Sequence, residues 1–353
     1  MIRLLFLISS VAYSFGRDIW VSPDGSDKTK CSANSETSPL FSLNSALECV
    51  DGNNDTIFMG GGEYEYRDPV LISESITIIA ADSTNVPNIL LVNNRPQFIT
   101  VGGPESGGEG ITLKIIDITV DGFNVVGENI PSSGFIINDK SSAYANVEIS
   151  GVIFRDFTRY EYEVFPSHTI DGLYQNLIVS GCQFISTSQY NIPNTHIHAA
   201  VVGVMTISSN YFGQLTHASF ILDPVQKKAT GGTVILTENV FMKSNQQTIG
   251  IYSPFMSWTI KNSLFSGSVG PRCSFAEANI GPTSGPTLVI DSVTFDSCNC
   301  TSIDVSDGCS AVINNSVISN SVAYALVKCT RQAYLSAHSN KEPPTKLTKM
   351  SFH

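Results

Sequence analysis

Three histidines and two aspartates in the middle of the chain have the residue types and spacing that acid–base chemistry requires. The histidines open similar strings, His168-Thr169-Ile170, His198-Ala199-Ala200-Val201 and His217-Ala218-Ser219-Phe220, and Asp171 and Asp223 close the corresponding predicted strands. If these strings lie on successive turns of a repeating fold, the three histidines superimpose. An imidazole beside a carboxylate can act as a general acid or base, and stacked histidines can bind a metal ion. These five residues are the candidate catalytic residues.

The same residues have a simpler interpretation as solvated side chains at strand ends, which the repeat alone brings into register. A carboxylate pair can also hydrolyse a glycosidic bond, but only at a separation that a sequence does not provide. The choice therefore depends on the elements that hold these side chains.

Those elements are copies of one repeat, in which three apolar residues stand at positions i, i+2 and i+7. The triple recurs eight times, as Leu113/Ile115/Val120, Val147/Ile149/Phe154, Leu177/Val179/Phe184, Met205/Ile207/Phe212, Val234/Leu236/Phe241, Trp258/Ile260/Phe265, Leu288/Ile290/Phe295 and Ala311/Ile313/Ile318. Its third position advances by 23 to 34 residues from copy to copy. A short motif that returns with a period of about 20 to 50 residues is typical of repeat architectures.

Each copy predicts two short strands joined by a tight corner. Positions i and i+2 share one face of a strand, whereas i+7 would face the opposite way unless the chain bends. The intervening residues are turn formers, namely Ser180-Gly181, Ser208-Ser209, Thr237-Glu238, Lys261-Asn262 and Asn314-Asn315. Asn210 and Asn239 occupy a further corner column, which predicts hydrogen bonds between coils. One coil cannot close a core alone, but a stack of coils can.

The start of the chain carries a resemblance to a known family. Ile19-Trp20-Val21-Ser22-Pro23-Asp24-Gly25 reads as a strand that runs into a turn, and residues 40–50 have the apolar spacing of a short amphipathic helix. Two strands follow, within residues 55–64 and 75–80. This order resembles the entry into the pectin lyase-like right-handed parallel β-helix family, over residues 19–327. The resemblance implies an all-β, single-stranded right-handed parallel β-helix of about nine or ten coils, with a short N-terminal capping helix.

The chain divides into four predicted parts. Residues 1–16 read as a secretory signal peptide, because Arg3 precedes an apolar run and the small residues Ser14 and Gly16 stand at the −3 and −1 positions of a cleavage site. Residues 17–80 hold the N-terminal strand, the capping helix and the first coil, and residues 81–329 hold the coils. A looser stretch between Ala80 and Ile111 is expected to be a surface excursion. Residues 330–353 form a polar tail, which is expected to be disordered.

Cysteines and glycosylation sequons agree with a secreted or cell-surface protein. The chain has eight cysteines, an even number. Cys31 and Cys49 flank one short element and are predicted to form a disulfide, while the pairing of the other six stays open. Sequons predict glycosylation at Asn54, Asn299 and Asn314, although Asn314 serves equally well as a turn former. The Cys298-Asn299-Cys300 string lacks the spacing and the histidines of a zinc site, so no metal is expected there.

Composition limits the partners. The formal net charge is −11 and only 14% of the residues are charged, which argues against nucleic acid and anionic membranes as ligands. No later stretch has the roughly 20 apolar residues of a membrane span. An extracellular polysaccharide or other glycan suits this surface better. Tyrosines in the spacers, predicted to be exposed, can stack on sugar rings: Tyr160, Tyr162, Tyr174, Tyr190 and Tyr252.

Two functions from different classes follow. Proteins with the fold that the resemblance implies include polysaccharide lyases and glycoside hydrolases, yet the polygalacturonase motifs and the clustered acids of a Ca²⁺-dependent pectate lyase are missing from this sequence. The favoured prediction is a non-catalytic protein that recognises glycans or mediates adhesion, with no cofactor. The alternative is a polysaccharide lyase or glycoside hydrolase that acts on an extracellular polysaccharide, for which Ca²⁺ is the expected cofactor if the enzyme is a lyase. Fold alone does not decide between them.

Overall fold

The structure is a computed structural model, and it describes residues 16–352 with gaps. The gaps are 53, 67–68, 92–96, 103–109, 123–133, 139–144, 156–167, 186–194, 214–220, 223–231, 244–247, 252–255, 268–271, 275–286, 298–302, 307–309, 321–326, 330–333 and 339–349. The predicted signal peptide therefore lies outside the described residues except for Gly16.

The described chain forms three parallel sheets, and each turn of chain adds one strand to sheet 1, then sheet 2, then sheet 3. Sheet 1 contains β1 (Asp18–Val21), β2 (Asp55–Met59), β5 (Ile76–Ala80), β8 (Thr112–Ile116), β11 (Asn146–Ser150), β14 (Asn176–Ser180), β17 (Val204–Ser208), β20 (Thr233–Thr237), β23 (Ser257–Lys261), β26 (Thr287–Asp291), β29 (Ser310–Asn314) and β32 (Tyr334–His338). Sheet 2 contains β3 (Gly62–Tyr66), β6 (Pro87–Leu91), β9 (Thr119–Asp121), β12 (Ile153–Arg155), β15 (Gln183–Ile185), β18 (Tyr211–Gly213), β21 (Val240–Met242), β24 (Leu264–Ser266), β27 (Thr294–Asp296) and β30 (Val317–Ser319). Sheet 3 contains β4 (Val70–Ile72), β7 (Gln97–Val101), β10 (Gly134–Asn138), β13 (His168–Tyr174), β16 (Thr195–Val201), β19 (Ile221–Leu222), β22 (Ile249–Ile251), β25 (Arg272–Ser274), β28 (Ile303–Ser306), β31 (Val327–Cys329) and β33 (Met350–Phe352).

Strand pairing makes this arrangement a parallel β-helix. Each strand pairs in parallel with the strand one coil before and one coil after it, as β11 does with β8 and β14. From β2 to β31 the described residues form ten coils that contain all three strands. The fold class and the number of coils predicted from the sequence are confirmed.

The apolar triples form the interior of the stack. Register places Leu177 between Val147 and Met205, and Phe184 between Phe154 and Phe212. Of the 24 positions in the eight triples, 22 are buried, and the remaining Ile313 and Ile318 in β29 and β30 are partly buried. The phenylalanine rings from Phe154 to Phe295 stack with centroids 4.7 to 4.9 Å apart on successive coils. This continuous apolar column is the core that a single coil cannot close.

The corner between sheets 1 and 2 repeats one backbone conformation. In eight successive coils the corner residue has a left-handed φ between 47° and 65°, and these residues are Asp117, Gly151, Gly181, Ser209, Glu238, Asn262, Ser292 and Asn315. The N–H of the corner residue donates to a carbonyl of the next coil, as that of Gly181 does to the Ser208 carbonyl at 3.0 Å. Gly, Asn, Asp and Ser suit such corners, so the predicted turn formers are confirmed.

A buried hydrogen-bond ladder lines the inside of the same corner. The Asn239 amide donates to the Ile207 carbonyl at 2.8 Å, and the Asn210 amide donates to the Val179 carbonyl at 2.9 Å and to Asn239 Oδ1 at 3.0 Å. Cys182 precedes Asn210 in this column, and its N–H donates to Asn210 Oδ1 at 2.8 Å. Burial raises the pKa of the Cys182 thiol to about 12. This column therefore holds the coils together, as the sequence predicted.

A short helix and a disulfide cap the first coil. Helix α1 (Leu43–Leu47) begins after Ser42, whose hydroxyl accepts a hydrogen bond from the Ser45 N–H. A short 3₁₀ helix, Cys31–Ala33, precedes α1, and Cys31 is bonded to Cys49. The Leu43 N–H donates to the Tyr66 hydroxyl at 3.0 Å, which ties α1 to sheet 2. The predicted capping helix and disulfide are both confirmed. No helix in the described part of the chain is long and apolar enough to cross a membrane.

Two stretches expected to lie outside the coils add strands to them. Strands β6 and β7 fall within the segment read as a surface excursion, and β32 and β33 fall within the tail that was expected to be disordered. In β32, register aligns Leu335 with Ala311 and Ala337 with Ile313. The register of the first two apolar columns thus continues into this strand, although the tail is polar in composition.

Candidate functional site

Sheet 3 carries the column of residues in which the candidate site lies. We call it the sheet 3 column; register defines it as Leu71, Thr100, Ile137, Asp171, His198, Leu222, Gly250, Arg272, Asp304, Lys328 and Ser351. The position before Asp171 and before His198 holds the buried Ile170 and Ile197, and the same position is also isoleucine in β7, β10, β19 and β22. Since successive side chains of a strand alternate between faces, Asp171 and His198 in this column belong to the outer face of sheet 3.

Asp171 and His198 form a hydrogen-bonded pair in this column. His198 Nδ1 lies 2.7 Å from Asp171 Oδ1, and the two side chains are 23% and 33% exposed. They meet because β13 and β16 are parallel neighbours in register, with adjacent strands about 4.8 Å apart. On β13, the Tyr174 hydroxyl donates to the Asp171 carbonyl at 2.7 Å, which holds the end of the strand in place.

This geometry suits either of two roles. A carboxylate at hydrogen-bond distance from one ring nitrogen orients the imidazole, and an imidazole so oriented can act as a general acid or base. The same pair can exchange hydrogen bonds with ligand hydroxyl groups, because it combines acceptor oxygens with a ring that donates or accepts. The partial exposure of both side chains allows contact with a ligand in either case.

The structure brings together two of the five candidate residues. Asp171 and His198 are paired, but His168 lies level with Thr195, three residues before the level of the pair. The predicted superposition of His168 on His198 is therefore wrong. The inner isoleucines set the register of these strands, and aligning the strings on their histidines shifts it by three residues. His217 and Asp223 lie outside the described residues.

The repeat pattern does not single out His196, which is buried in the structure. Its Nδ1 lies 3.2 Å from the Thr169 hydroxyl, and its ring centroid is 5.0 Å from that of Phe184. Burial lowers the pKa of His196 to about 3, so this imidazole is neutral at neutral pH. Aligning Ile170 with Ile197 in the sequence would have placed Thr169 beside His196 and revealed the contact. His196 belongs to the core and not to the outer face.

The predicted aromatic contacts need one correction. Tyr174 is fully buried, so it is not available to stack on a sugar ring. Its hydroxyl donates a hydrogen bond to the Asp171 carbonyl, which is a structural role. The other four tyrosines, Tyr160, Tyr162, Tyr190 and Tyr252, lie outside the described residues.

In the described part of the chain, no group of three or more His, Cys, Asp or Glu residues is placed to hold a metal ion. Asn54 is exposed and has a left-handed φ of 58°, whereas Asn314 is partly buried at the end of β29. Asn299 lies outside the described residues, and glycosylation stays a prediction at all three positions.

Comparison with known proteins gives matches in structure alone. No protein-family model matches the chain, and no curated protein matches it in sequence. A mutant of the family PL6 alginate lyase AlyGC has a TM-score of 0.52 and 14% identity, over 92% of this chain and 40% of that one. The pectate lyase Pel9A has a TM-score of 0.41 and 12% identity, over 88% of this chain and 78% of that one. The A-module of a mannuronan C-5 epimerase from Azotobacter vinelandii has a TM-score of 0.40 and 12% identity, with shares of 81% and 75%.

These matches bear on the fold. The chain spans about 40% of the length of the alginate lyase that it matches. At 14% identity the likeness concerns backbone architecture, and the two TM-scores near 0.4 carry no argument of their own. Together with the three parallel sheets and the stacked coils, the alginate lyase match shows that the chain has the pectin lyase-like right-handed parallel β-helix fold.

Proposed function

We propose that this protein is secreted or displayed at the cell surface, where it recognises a polysaccharide without catalysing a reaction, and that the ligand lies along the outer face of sheet 3. The observation that carries this proposal is the partly exposed pair of His198 and Asp171. The disulfide between Cys31 and Cys49 and the predicted signal peptide support an extracellular location.

A linear glycan fits this face in both shape and chemistry. Coils repeat about every 4.8 Å along the stack, so a polymer that lies along the axis meets equivalent strands at a regular spacing. An imidazole and a carboxylate offer the donors and acceptors that sugar hydroxyl groups require. The low charged fraction, 14%, favours a ligand that is bound through hydrogen bonds and not through many ion pairs. The alginate lyase of similar fold is named for a polysaccharide, which agrees with this ligand class.

A glycan array probed with the secreted protein tests the proposal. We expect binding to at least one polysaccharide, and an affinity lower by about tenfold or more in His198→Gln and in Asp171→Asn, since hydrogen bonds to charged groups contribute about 1.5–3 kcal/mol. Glu148→Gln is the matched control, because Glu148 forms a partly exposed ion pair with Lys114 at 2.8 Å on sheet 1. Equal affinity in all three variants would show that the ligand does not contact the pair.

The same pair favours a second candidate function, a polysaccharide lyase or hydrolase. In a lyase, His198 would take the proton from the carbon next to a sugar carboxyl group. The electron pair of that C–H bond would form a carbon–carbon double bond while the bond from the adjacent ring carbon to the glycosidic oxygen breaks. The oxygen would keep the bonding pair and take a proton from water. Assays for reducing ends and for unsaturated products, with and without added Ca²⁺, distinguish the two functions. Turnover that His198→Ala abolishes selects the enzyme, and binding without turnover selects recognition.

A further inference from the structure

Asp55, the first residue of β2, is a fully buried carboxylate at the entry to the β-helix. Its Oδ1 accepts a hydrogen bond from the Arg17 backbone N–H at 2.5 Å, and its Oδ2 accepts one from the Asp51 N–H at 2.8 Å. The Arg17 guanidinium pairs instead with Asp51, at 2.8 Å. No cationic side chain of the described residues pairs with Asp55. A buried carboxylate held by neutral donors alone is costly, and a full positive charge beside it would offset that cost.

Arg17 is the residue that follows the predicted cleavage site. Ser14 and Gly16 stand at its −3 and −1 positions. Hydrolysis of the Gly16–Arg17 peptide bond adds one water molecule, which leaves a carboxylate on Gly16 and an amino group on Arg17. At neutral pH that amino group is largely an ammonium ion, because the usual pKa of an α-amino group is about 8. The nitrogen that donates one hydrogen bond to Asp55 before cleavage thus gains a positive charge and two more donors.

We infer that removal of residues 1–16 creates an ion pair between the new α-ammonium group of Arg17 and the buried carboxylate of Asp55, which fixes β1 to the first coil. The position of the nitrogen is fixed by its neighbours on the chain. The Arg17 carbonyl accepts from the Thr56 N–H at 2.8 Å, and β1 continues in register along β2 from the pairing of Asp18 with Thr56. Cleavage one residue to either side would move the terminal nitrogen by about 3.8 Å and lose the contact. The inference rests on the predicted signal peptide and is independent of the glycan proposal.

The ion pair makes stability depend on pH in a defined direction. The titratable side chains on the elements around this terminus are Asp18 in β1, Glu48 at the end of α1, Asp51 and Asp55 at the start of β2, and Glu74 ahead of β5, close to Gly52. Pairing with Asp55 raises the pKa of the α-amino group in the folded protein above its usual value of about 8. The stabilisation is therefore fully present below pH 8 and is lost as the pH rises through the raised value.

The first experiment locates the terminus. The full chain is expressed in secreting cells, and the secreted product is sequenced from its N-terminus by mass spectrometry. We expect Arg17 as the first residue. A product that begins at another residue, or that retains residues 1–16, would overturn the inference.

The second experiment measures the coupling between the terminus and Asp55. Two proteins are prepared by proteolytic removal of a leading tag, one starting at Arg17 and one retaining Gly16, each with Asp55 and with Asp55→Asn. Removal of Gly16 should raise the melting temperature at pH 7 when Asp55 is present and leave it unchanged in Asp55→Asn. Asp51→Asn is the matched control, since it removes the guanidinium contact and should preserve the effect of Gly16 removal. The same effect with Asp55 and with Asn at position 55, or no effect with Asp55, would overturn the inference.

A third measurement tests the ion pair directly and does not depend on the folding of Asp55→Asn. The α-amino group of the protein that starts at Arg17 is labelled by reductive ¹³C-methylation, and its titration is followed by NMR. A midpoint above that of the same label on a short peptide, Arg17-Asp18-Ile19, supports the ion pair. A midpoint equal to that of the peptide contradicts it.

Discussion

The backbone conformation and the apolar residues repeat at the corner between sheets 1 and 2, whereas the residue type varies along the outer face of sheet 3. At the corner, each coil repeats the same conformation over the same apolar column, so Phe184 lies on Phe212 at 4.7 Å and the pattern continues in both directions. Along the sheet 3 column the residue type changes at each level, from Thr100 to Ile137 to Asp171 to His198. Residues that recur from coil to coil hold the stack together, and positions at which the residue type varies are available for function.

Two polar pairs show this difference at the level of atoms. Asn210 and Asn239 lie on adjacent coils and are buried; the amide of each donates to a backbone carbonyl, and the Asn210 amide also donates to Asn239 Oδ1. Asp171 and His198 also lie on adjacent coils, but both side chains are partly exposed. Loss of the first pair should therefore cost stability, whereas loss of the second should cost ligand binding. The four predictions that follow test this division in order of decreasing effect on the free energy of unfolding.

Phe212→Ala should have the largest effect. Phe212 is fully buried between Phe184 and Phe241, at 4.7 and 4.9 Å, and its removal leaves a cavity inside a continuous stack. We expect a loss of about 3–5 kcal/mol in the free energy of unfolding, measured by urea titration with circular dichroism. Phe41→Ala is the matched control, because Phe41 is 52% exposed, and should change stability by less than about 0.5 kcal/mol. Similar losses in both variants would contradict a structural role for the column.

Asn239→Leu should come second. The substitution keeps roughly the same volume but leaves the buried Ile207 carbonyl and the Asn210 N–H without the partners that Asn239 provides. Each unsatisfied buried group costs about 1–3 kcal/mol, so we expect a loss of about 2–4 kcal/mol in the same titration. Asn176→Leu, at a partly buried position of sheet 1, should lose less than half as much. Comparable losses would mean that burial does not set the strength of the ladder.

The sequence predicts the corner and the core because their signal is local. Positions i, i+2 and i+7 form one unit, and turn formers stand at fixed places between them. The signal disappears where the corner lengthens. In the second coil, Ile76 and Ile78 occupy the first two columns, but Ile89 occupies the third, eleven residues after Ile78 rather than five. The part of that coil after Ala80 therefore reads as a surface excursion in the sequence, although the structure places β6 and β7 there.

The candidate site was harder to predict because the links between sheets 2 and 3 differ in length from coil to coil. No fixed offset connects Phe184 to the next strand of sheet 3, so the register of that strand has to come from its own residues. In a half-buried sheet the apolar residues determine register. Ile170 and Ile197 do so here, and they pair Asp171 with His198 and not His168 with His198.

Gly181→Ala should have a smaller effect, confined to the backbone. Gly181 has a φ of 62°, and a Cβ built on it meets nothing closer than the Gly151 nitrogen at 3.9 Å. The cost is therefore that of a left-handed conformation, about 1–2 kcal/mol, measured by thermal unfolding. Ser209→Ala is the matched control, because Ser209 already carries a side chain at a φ of 56°, and should stay within about 0.5 kcal/mol. Unchanged stability in Gly181→Ala would show that the corner relaxes to another conformation.

His198→Gln and Asp171→Asn should have the smallest effect on stability and the largest on ligand binding. Polar pairs at partly exposed sites contribute about 0–1 kcal/mol, so each variant should unfold within about 1 kcal/mol of the parent protein. If the pair instead supported the fold, both variants would lose stability in the range expected for Asn239→Leu, and the decrease in glycan affinity would follow the fraction of unfolded protein. Measuring affinity well below the unfolding transition separates these cases. An affinity loss of about tenfold in fully folded variants would come from lost contacts with the ligand. The outer face of sheet 3 would then bind the ligand, and the corner would stabilise the fold.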